Sequence, residues 1–517
     1  MLRCVASFVL VTSLIASATP TRAQDFQPDS ALTVALASIE GESLGLDEAV
    51  SLSMRNATAI QEATAAAEAA SAVAGGARGL YDPVLYGAAD WSRDETPTAS
   101  PFSGASVLES RRRFGQAGVR TRLVTGADVD ASLDVTRAAT NSVFAALNPQ
   151  LDAFGQITVR QPLLAGRGIG TSGDFKAAGF AEAAAAARME QTSIDVRVAV
   201  EELYWDLYAA ERDLAVQITI VEQARVLLSE SELRFRAGLV GPSESENAKV
   251  FLAEQELTAI DREEALIMVS NALATLLGRR PEAPLRTFKA SDEPPADFAP
   301  ADVDGLLALA MSSNRELEAA QAEVDIADVR MRSAKRNRLP AVDLIGSLSS
   351  TGLAGTAQDV IFGSDTLTTT ASGSLGDAIG QVGGFDYPRW SVGVSVAVPL
   401  SRRARNSEAA RLEADRDRAQ ARLDAVSRSV EEQVRLYHET LQNGVARIAI
   451  ARRGVAASRE QVRIGLIEFR NGRTTAFELV RLGADLATAE RRLSQALVRI
   501  AKSSAALRRA TGGQYDG

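Results

Sequence analysis

The chain has 517 residues, of which 24% are charged and only 5% aromatic, with a formal net charge of -10. That length is ample for a large core, and the acidic balance excludes a phosphate-backbone binder, which needs a basic face, so no nucleic-acid partner is expected. The single cysteine, Cys4, precedes an apolar run from about Val5 to Ile15 and the phrase "TRA" before Gln24. This is the pattern of a secretory signal peptide over residues 1–23, and the rest of the chain then carries neither disulfides nor thiolate metal sites. No later apolar run reaches the roughly 18 residues of a spanning helix, so membrane insertion requires a β-barrel.

The remainder reads as two copies of one plan. "LDEAVSLSMRNATAIQEA" from Leu46 matches "VDGLLALAMSSNRELEAA" from Val303 at a constant shift, which also carries Pro83 onto Pro340. Heptad steps in the first copy pass through Leu203, Leu207, Ala210, Leu214, Gln217, Val221, Ala224, Leu228, Ser231 and Phe235. One further shift gives Tyr437, Leu441, Gly444, Ile448, Ala451, Val455, Ser458, Val462, Gly465 and Phe469. Size class matches size class, and Gly238 falls on Gly472, Leu273 on Leu507 and Gly278 on Gly512; a duplication explains this and shared heptad spacing alone does not. The first repeat spans 24–278, with helices over 44–80 and 170–278 around β segments at 81–165. A proline-rich linker at 279–300 follows. The second repeat spans 301–512, with helices over 301–338 and 403–512 around β segments at 341–400, and 513–517 is a short tail. From Asp174 to Ala237 there is no proline, which allows a helix of about 95 Å.

In the β segments, Val392, Val394, Val396 and Val398 share a face with Trp390, while Ser391, Gly393, Ser395 and Ala397 take the other. Ile157 and Val159 likewise oppose Gln156, Thr158 and Arg160. "AVDLIGSLS" and "DPVLYGAADW" supply their partners, and Tyr86, Trp91, Tyr387 and Trp390 are candidate membrane-interface anchors. This is the alternation of a transmembrane barrel, and equally that of a β-sandwich. An additional hairpin flanks a Thr125-Gly126-Ala127 loop, which would pair Arg122 with Asp130; its place in or above a barrel is open. Residues 351–388 read as a long Gly/Ser/Thr-rich loop.

These features, with the tip phrases "FRAGLVGPSESENA" and "FRNGRTTAFELV", resemble the outer-membrane efflux protein family typified by TolC. The resemblance implies a mainly α protein with a transmembrane β-barrel portion: a homotrimer with a periplasmic α-barrel, each chain giving four strands to a shared twelve-stranded β-barrel in the cell outer membrane. Four strands cannot close a barrel, and open edges are not tolerated in lipid, so a ring of identical chains agrees with it. It implies further a passive, gated exit duct of a tripartite efflux pump or type I secretion system, meeting outer-membrane lipid, a periplasmic adaptor (membrane fusion) protein and an inner-membrane transporter. By the same resemblance Gly238, Glu244, Gly472 and Glu478 fall at the periplasmic tip or aperture. Arg481 stands where some relatives are acidic, which permits an ion pair with Glu478 at i, i+3.

Catalytic chemistry finds no constellation. "AGRGIGTSGD" lacks the Lys-Ser/Thr of a phosphate loop and is better read as a strand-to-helix turn. His438 has no nucleophile or ligand set near it in sequence, and the helix carboxylates interleave with Arg as on a solvated face. No enzyme, metal or cofactor is expected. The rival to a channel is a soluble periplasmic coiled-coil scaffold or adhesin stalk with a sandwich head; an adaptor protein is a weaker third, since it would need a lipoyl-like domain around one hairpin.

Overall fold

A computed structural model describes residues 28–100, 103–279, 287–295, 302–363, 365–471 and 473–515. The expected signal peptide and Gly472 lie outside the described residues.

Both repeats take the same form. A broken short helix, α2 (Leu46–Asn56) with α3 (Thr58–Arg78) in the first repeat and α6 (Val303–Ser313) with α7 (Arg315–Asn337) in the second, leads into strands. The strands return through a helix of 68 residues, α4 (Ile169–Arg236) or α9 (Arg403–Arg470), and a hairpin partner of 35, α5 (Pro242–Leu276) or α10 (Ala476–Ala510). At 1.5 Å per residue the long helices reach about 100 Å. Their heptad seams are buried as expected: Leu207, Leu214, Val221 and Ala224 in α4, Leu441, Ile448, Val455 and Val462 in α9. Helix α4 buries a second face as well, with Val200, Tyr204, Trp205, Tyr208, Ala215 and Ile220, because it packs against both α5 and α10.

Gly278 and Gly512 show why the copies share glycines. Both have positive φ, 71° and 63°, and each seats the end of its hairpin on the break between the two short helices of its own repeat. Asn56 Nδ2 donates to the Leu277 carbonyl at 3.4 Å, and Asn314 Nδ2 to that of Ala510 at 2.9 Å.

Three expectations need correction. The segment at 279–300 is not merely a linker, since β6 (Phe288–Ala290) pairs in parallel with β1 (Glu42–Leu44) beside helix α1 (Pro28–Ser38), and Phe288 joins the core. Residues 351–388 are not one loop: β7 (Ala341–Ala357) extends into them, a small hairpin of β8 (Val360–Phe362) and β9 (Asp365–Leu367) follows, and helix α8 (Leu375–Gly384) starts at a capping box made by Ser374 and Asp377. The third concerns the extra hairpin. It is inserted in the main sheet, whose order is β10 (Pro388–Ala397), β7, β5 (Leu147–Pro162), β4 (Asp128–Thr140), β3 (Val107–Arg122) and β2 (Val84–Pro97), all antiparallel. The main sheet of the chain therefore has six strands, the four expected ones and two more. Within the hairpin Arg122 pairs with Asp128, and Arg120 with Asp130, because Leu123 and Ala127 close the loop with Gly126 at φ 93° as its last residue.

Candidate functional site: the duct wall and its two ends

The six strands form a single sheet with two unlike faces. Leu85, Val119, Val129, Ala131, Leu133, Ile157, Leu344, Leu348 and the β10 valines occupy one face, following the strand alternation through the register. Val392, Val394 and Val396 are 62 to 68% exposed, so this face has no second sheet against it, as a sandwich would require. The opposite face carries Arg120, Asp130, Ser132, Asp134, Gln156, Thr158, Arg160, Ser347 and Ser391.

The strand ends show how the sheet is tilted. The register line that starts at Val84 runs through Arg120, Asp130, Thr158 and Ser347 to Ser391, six residues short of the β10 end at Ala397. If the ends lie on one level, they slide about 20 Å across five gaps of about 4.8 Å, a tilt of roughly 40°. That is the tilt of a closed barrel wall. On the same reckoning Trp91 stands seven residues above Val84, and Trp390 seven above Ala397. Both tryptophans point from the apolar face at one height, about 18 Å above the rim.

Tyr86 does not join them. It has the other strand parity, and its hydroxyl donates to Asp130 at 2.9 Å on the polar face. Tyr387 precedes β10 and lies in the turn after α8.

Where sheet meets helices, the polar face ends in cross-strand ion pairs, Arg122 with Asp128 at 2.7 Å and Arg160 with Asp343 at 2.5 Å. A groove of about 1450 Å³ lies here between the sheet, α7 and α9, lined by charges that include Arg330, Arg405, Glu408 and Arg411. The glycine-rich stretch at Ala165 is a strand-to-helix turn: Gly166 and Gly168 have positive φ, and Gly168 N–H donates to the Thr125 carbonyl of the extra hairpin's loop.

At the other end, α4 closes with Gly238 at φ 70° and a bond from Leu239 N–H to the Arg234 carbonyl. After α9, Arg473 N–H reaches the Glu468 carbonyl in the same way. Leu227, Ala248 and Val480 pack together and hold the two turns side by side. Glu478 sits in the first turn of α10, its N–H on the Thr475 hydroxyl, and its carboxylate is 3.4 Å from Arg481. Glu244 occupies the equivalent first turn of α5 and is exposed. No group of His, Cys, Asp and Glu able to hold a metal occurs among the described residues. No helix among them is long and apolar enough to cross a membrane.

A six-stranded sheet with one apolar and one polar face is continued by two 68-residue helices and their hairpin partners. Residues 306–513 match the family described as outer membrane efflux protein, and the whole chain shares the fold of solved outer-membrane channels. It is similar to the outer membrane protein VceC of Vibrio cholerae, with 16% identity over 91% of this chain and 97% of that one at a TM-score of 0.61. It is similar also to the Campylobacter jejuni CmeC outer membrane channel (13%, 91% and 86%, 0.60) and to the open state of the Neisseria gonorrhoeae MtrE outer membrane channel (16%, 90% and 89%, 0.59). No curated protein matches the sequence.

Proposed function

We propose that three copies of the chain form a passive exit duct for export, with β10 of each pairing with β2 of the next. The carrying observation is the six-stranded sheet itself, whose two edge strands have free ladders and whose rim has the slope of a barrel. An even number of strands per chain keeps every seam antiparallel on closure, since β10 runs towards the helices and β2 away from them. Three copies then give an eighteen-stranded wall rather than twelve, and at roughly 40° tilt its diameter is about 36 Å against about 24 Å. Barrels of this strand number leave an aqueous channel.

The α4/α5 and α9/α10 hairpins continue the duct through the periplasm, and their tips are the gate and the docking place for a periplasmic adaptor, through which an inner-membrane transporter supplies the energy. The tip glycines, Glu244 and the Glu478–Arg481 pair are the aperture residues in this reading. Support comes from the matching turns of the two repeats and from the fold of the similar channels. Rigid-body loosening of the second hairpin at its tip would open the aperture. The full-length protein should need detergent for extraction, migrate as a trimer that heating dissociates, and show eighteen-fold strand modulation of the barrel in averaged images. A monomer released by salt alone would end the duct reading, and twelve strands would end the wider wall.

A further inference from the structure

The outward face carries a feature that a lipid-facing wall does not need. Counting from the same rim, Arg93 on β2, Arg113 on β3 and Arg137 on β4 all stand nine residues up, two beyond Trp91. They form a row across three neighbouring strands, about 23 Å above the rim. Arg93 is neutralised, with Glu95 at 2.8 Å and Glu109 at 3.0 Å, and Arg111 above the row also holds Glu109 at 2.6 Å. Arg113 and Arg137 are direct cross-strand partners, both exposed, and no ion pair or side-chain hydrogen bond to either occurs among the described residues. Two like charges directly opposite repel, and an anion between them would relieve that repulsion. Arginine forks hold phosphate through paired hydrogen bonds.

Below this pair lies an apolar groove of about 500 Å³ on the same face. Its floor is made of small and aliphatic residues, among them Ala117, Ala131 and Leu133, and its wall is the end of α8 with Val382 and Phe385. Helix α8 is held tightly there. Gln381 bonds both the amide and the carbonyl of Leu353, and a Cβ on Gly352 would come within 1.9 Å of the Ala378 carbonyl. The wall is therefore a fixed part of the sheet's surface.

We infer that Arg113 and Arg137 bind the phosphate of an anionic lipid headgroup, with an acyl chain of the same lipid in the groove beside α8. The row stands at the height of the outer interface if the sheet is a membrane barrel, so the inference rests on that reading. It also gives the extra hairpin, which supplies both arginines and much of the groove floor, a use beyond widening the wall. Interfacial height keeps the cost of the charges to at most about 1 kcal/mol each.

The test uses the full-length protein in neutral detergent, with phosphatidylglycerol or phosphatidylcholine added and retention read by native mass spectrometry. Wild type should retain phosphatidylglycerol preferentially, and R113Q/R137Q should lose at least about tenfold of that retention with no change for phosphatidylcholine. Equal retention by the variant overturns the inference. Full displacement by millimolar inorganic phosphate also overturns it, since that marks a free-anion site without a chain-binding groove. The membrane reading is checked separately by brominated acyl chains in vesicles, which should quench Trp91 and Trp390 but not the buried Trp205. Quenching with unchanged lipid retention removes the lipid site alone, whereas no quenching removes the barrel and the site together.

Discussion

Nη1 of Arg508 lies 2.6 Å from both carboxylate oxygens of Glu201, joining the last turn of α10 to the body of α4 and so the second repeat to the first. The pair heads a ladder. Arg509 meets Asp195 at 2.7 Å, Lys502 meets Asp206 at 2.5 Å and Arg491 meets Asp213 at 3.3 Å, every cation on α10 and every acid on α4. Charges so divided fix antiparallel register as well as attraction, because a slip of one turn separates the four pairs together.

Both members of the Arg508–Glu201 pair are largely buried, with side chains 17% and 7% exposed. Removing Arg508 leaves the buried Glu201 with only the half-exposed Arg197, at 3.1 Å, as counter-charge, so Arg508→Ala should destabilise the chain by about 1–3 kcal/mol. The double variant E201M/R508M should recover much of that loss. Denaturant unfolding of the detergent-solubilised protein followed by circular dichroism measures both, and equal loss in the two variants would contradict the burial argument.

Glu211 offers a pH test. Burial raises its carboxyl above the usual range, opposed by the Ala290 N–H at 3.1 Å and by the Lys289 and Arg212 charges. A carboxyl raised in the folded state binds its proton more tightly there than in the unfolded chain. Its ionisation therefore costs stability, and that cost grows as pH rises from the unfolded value through the folded one. Glu211→Gln should lift the melting temperature at pH 7 relative to pH 4, flattening this part of the profile. A parallel shift at both pH values would assign the effect to packing.

Gly512 and Gly278 should tolerate nothing larger. A Cβ at Gly512 would lie 2.0 Å from the Ser313 carbonyl, and one at Gly278 2.7 Å from Asn56 Cβ. Both also require positive φ. Each Gly→Ala change should lower stability by about 1–3 kcal/mol, with Gly512 the worse of the two because its Cβ would meet a backbone oxygen at 2.0 Å, against 2.9 Å at Gly278. Limited proteolysis at the short-helix breaks reads the order directly.

At the tip, the Glu478–Arg481 pair is exposed and lies within one helix, so it contributes less than about 1 kcal/mol to stability. Arg481→Ala should leave the melting temperature unchanged and raise single-channel conductance in planar bilayers. Unchanged conductance would remove Arg481 from the proposed aperture.

Much of this was legible in the sequence where the signal was periodic. Heptad seams, the Gly278/Gly512 pair and strand alternation each follow a local rule, and these appear in the fold. Sheet order is a different kind of information: nothing local to Val107–Thr140 says that its hairpin enters between β2 and β5. Helix α8 was hidden by its glycines, although Ser374 and Asp377 already had capping-box spacing. Tyr86 could have been placed correctly, since it differs from Trp91 in strand parity. The α10 cations gave no local signal of their pairing because their partners lie roughly three hundred residues away in sequence, on α4.

The inserted hairpin has a consequence for how such ducts vary. A strand pair enters and leaves the sheet at the end away from the helices, and only its Thr125 loop reaches the strand-to-helix turn, so adding one keeps the antiparallel alternation at the sheet's two edges. In the proposed threefold ring the bore can therefore change only in steps of six strands, each step leaving the helical conduit's plan as it is.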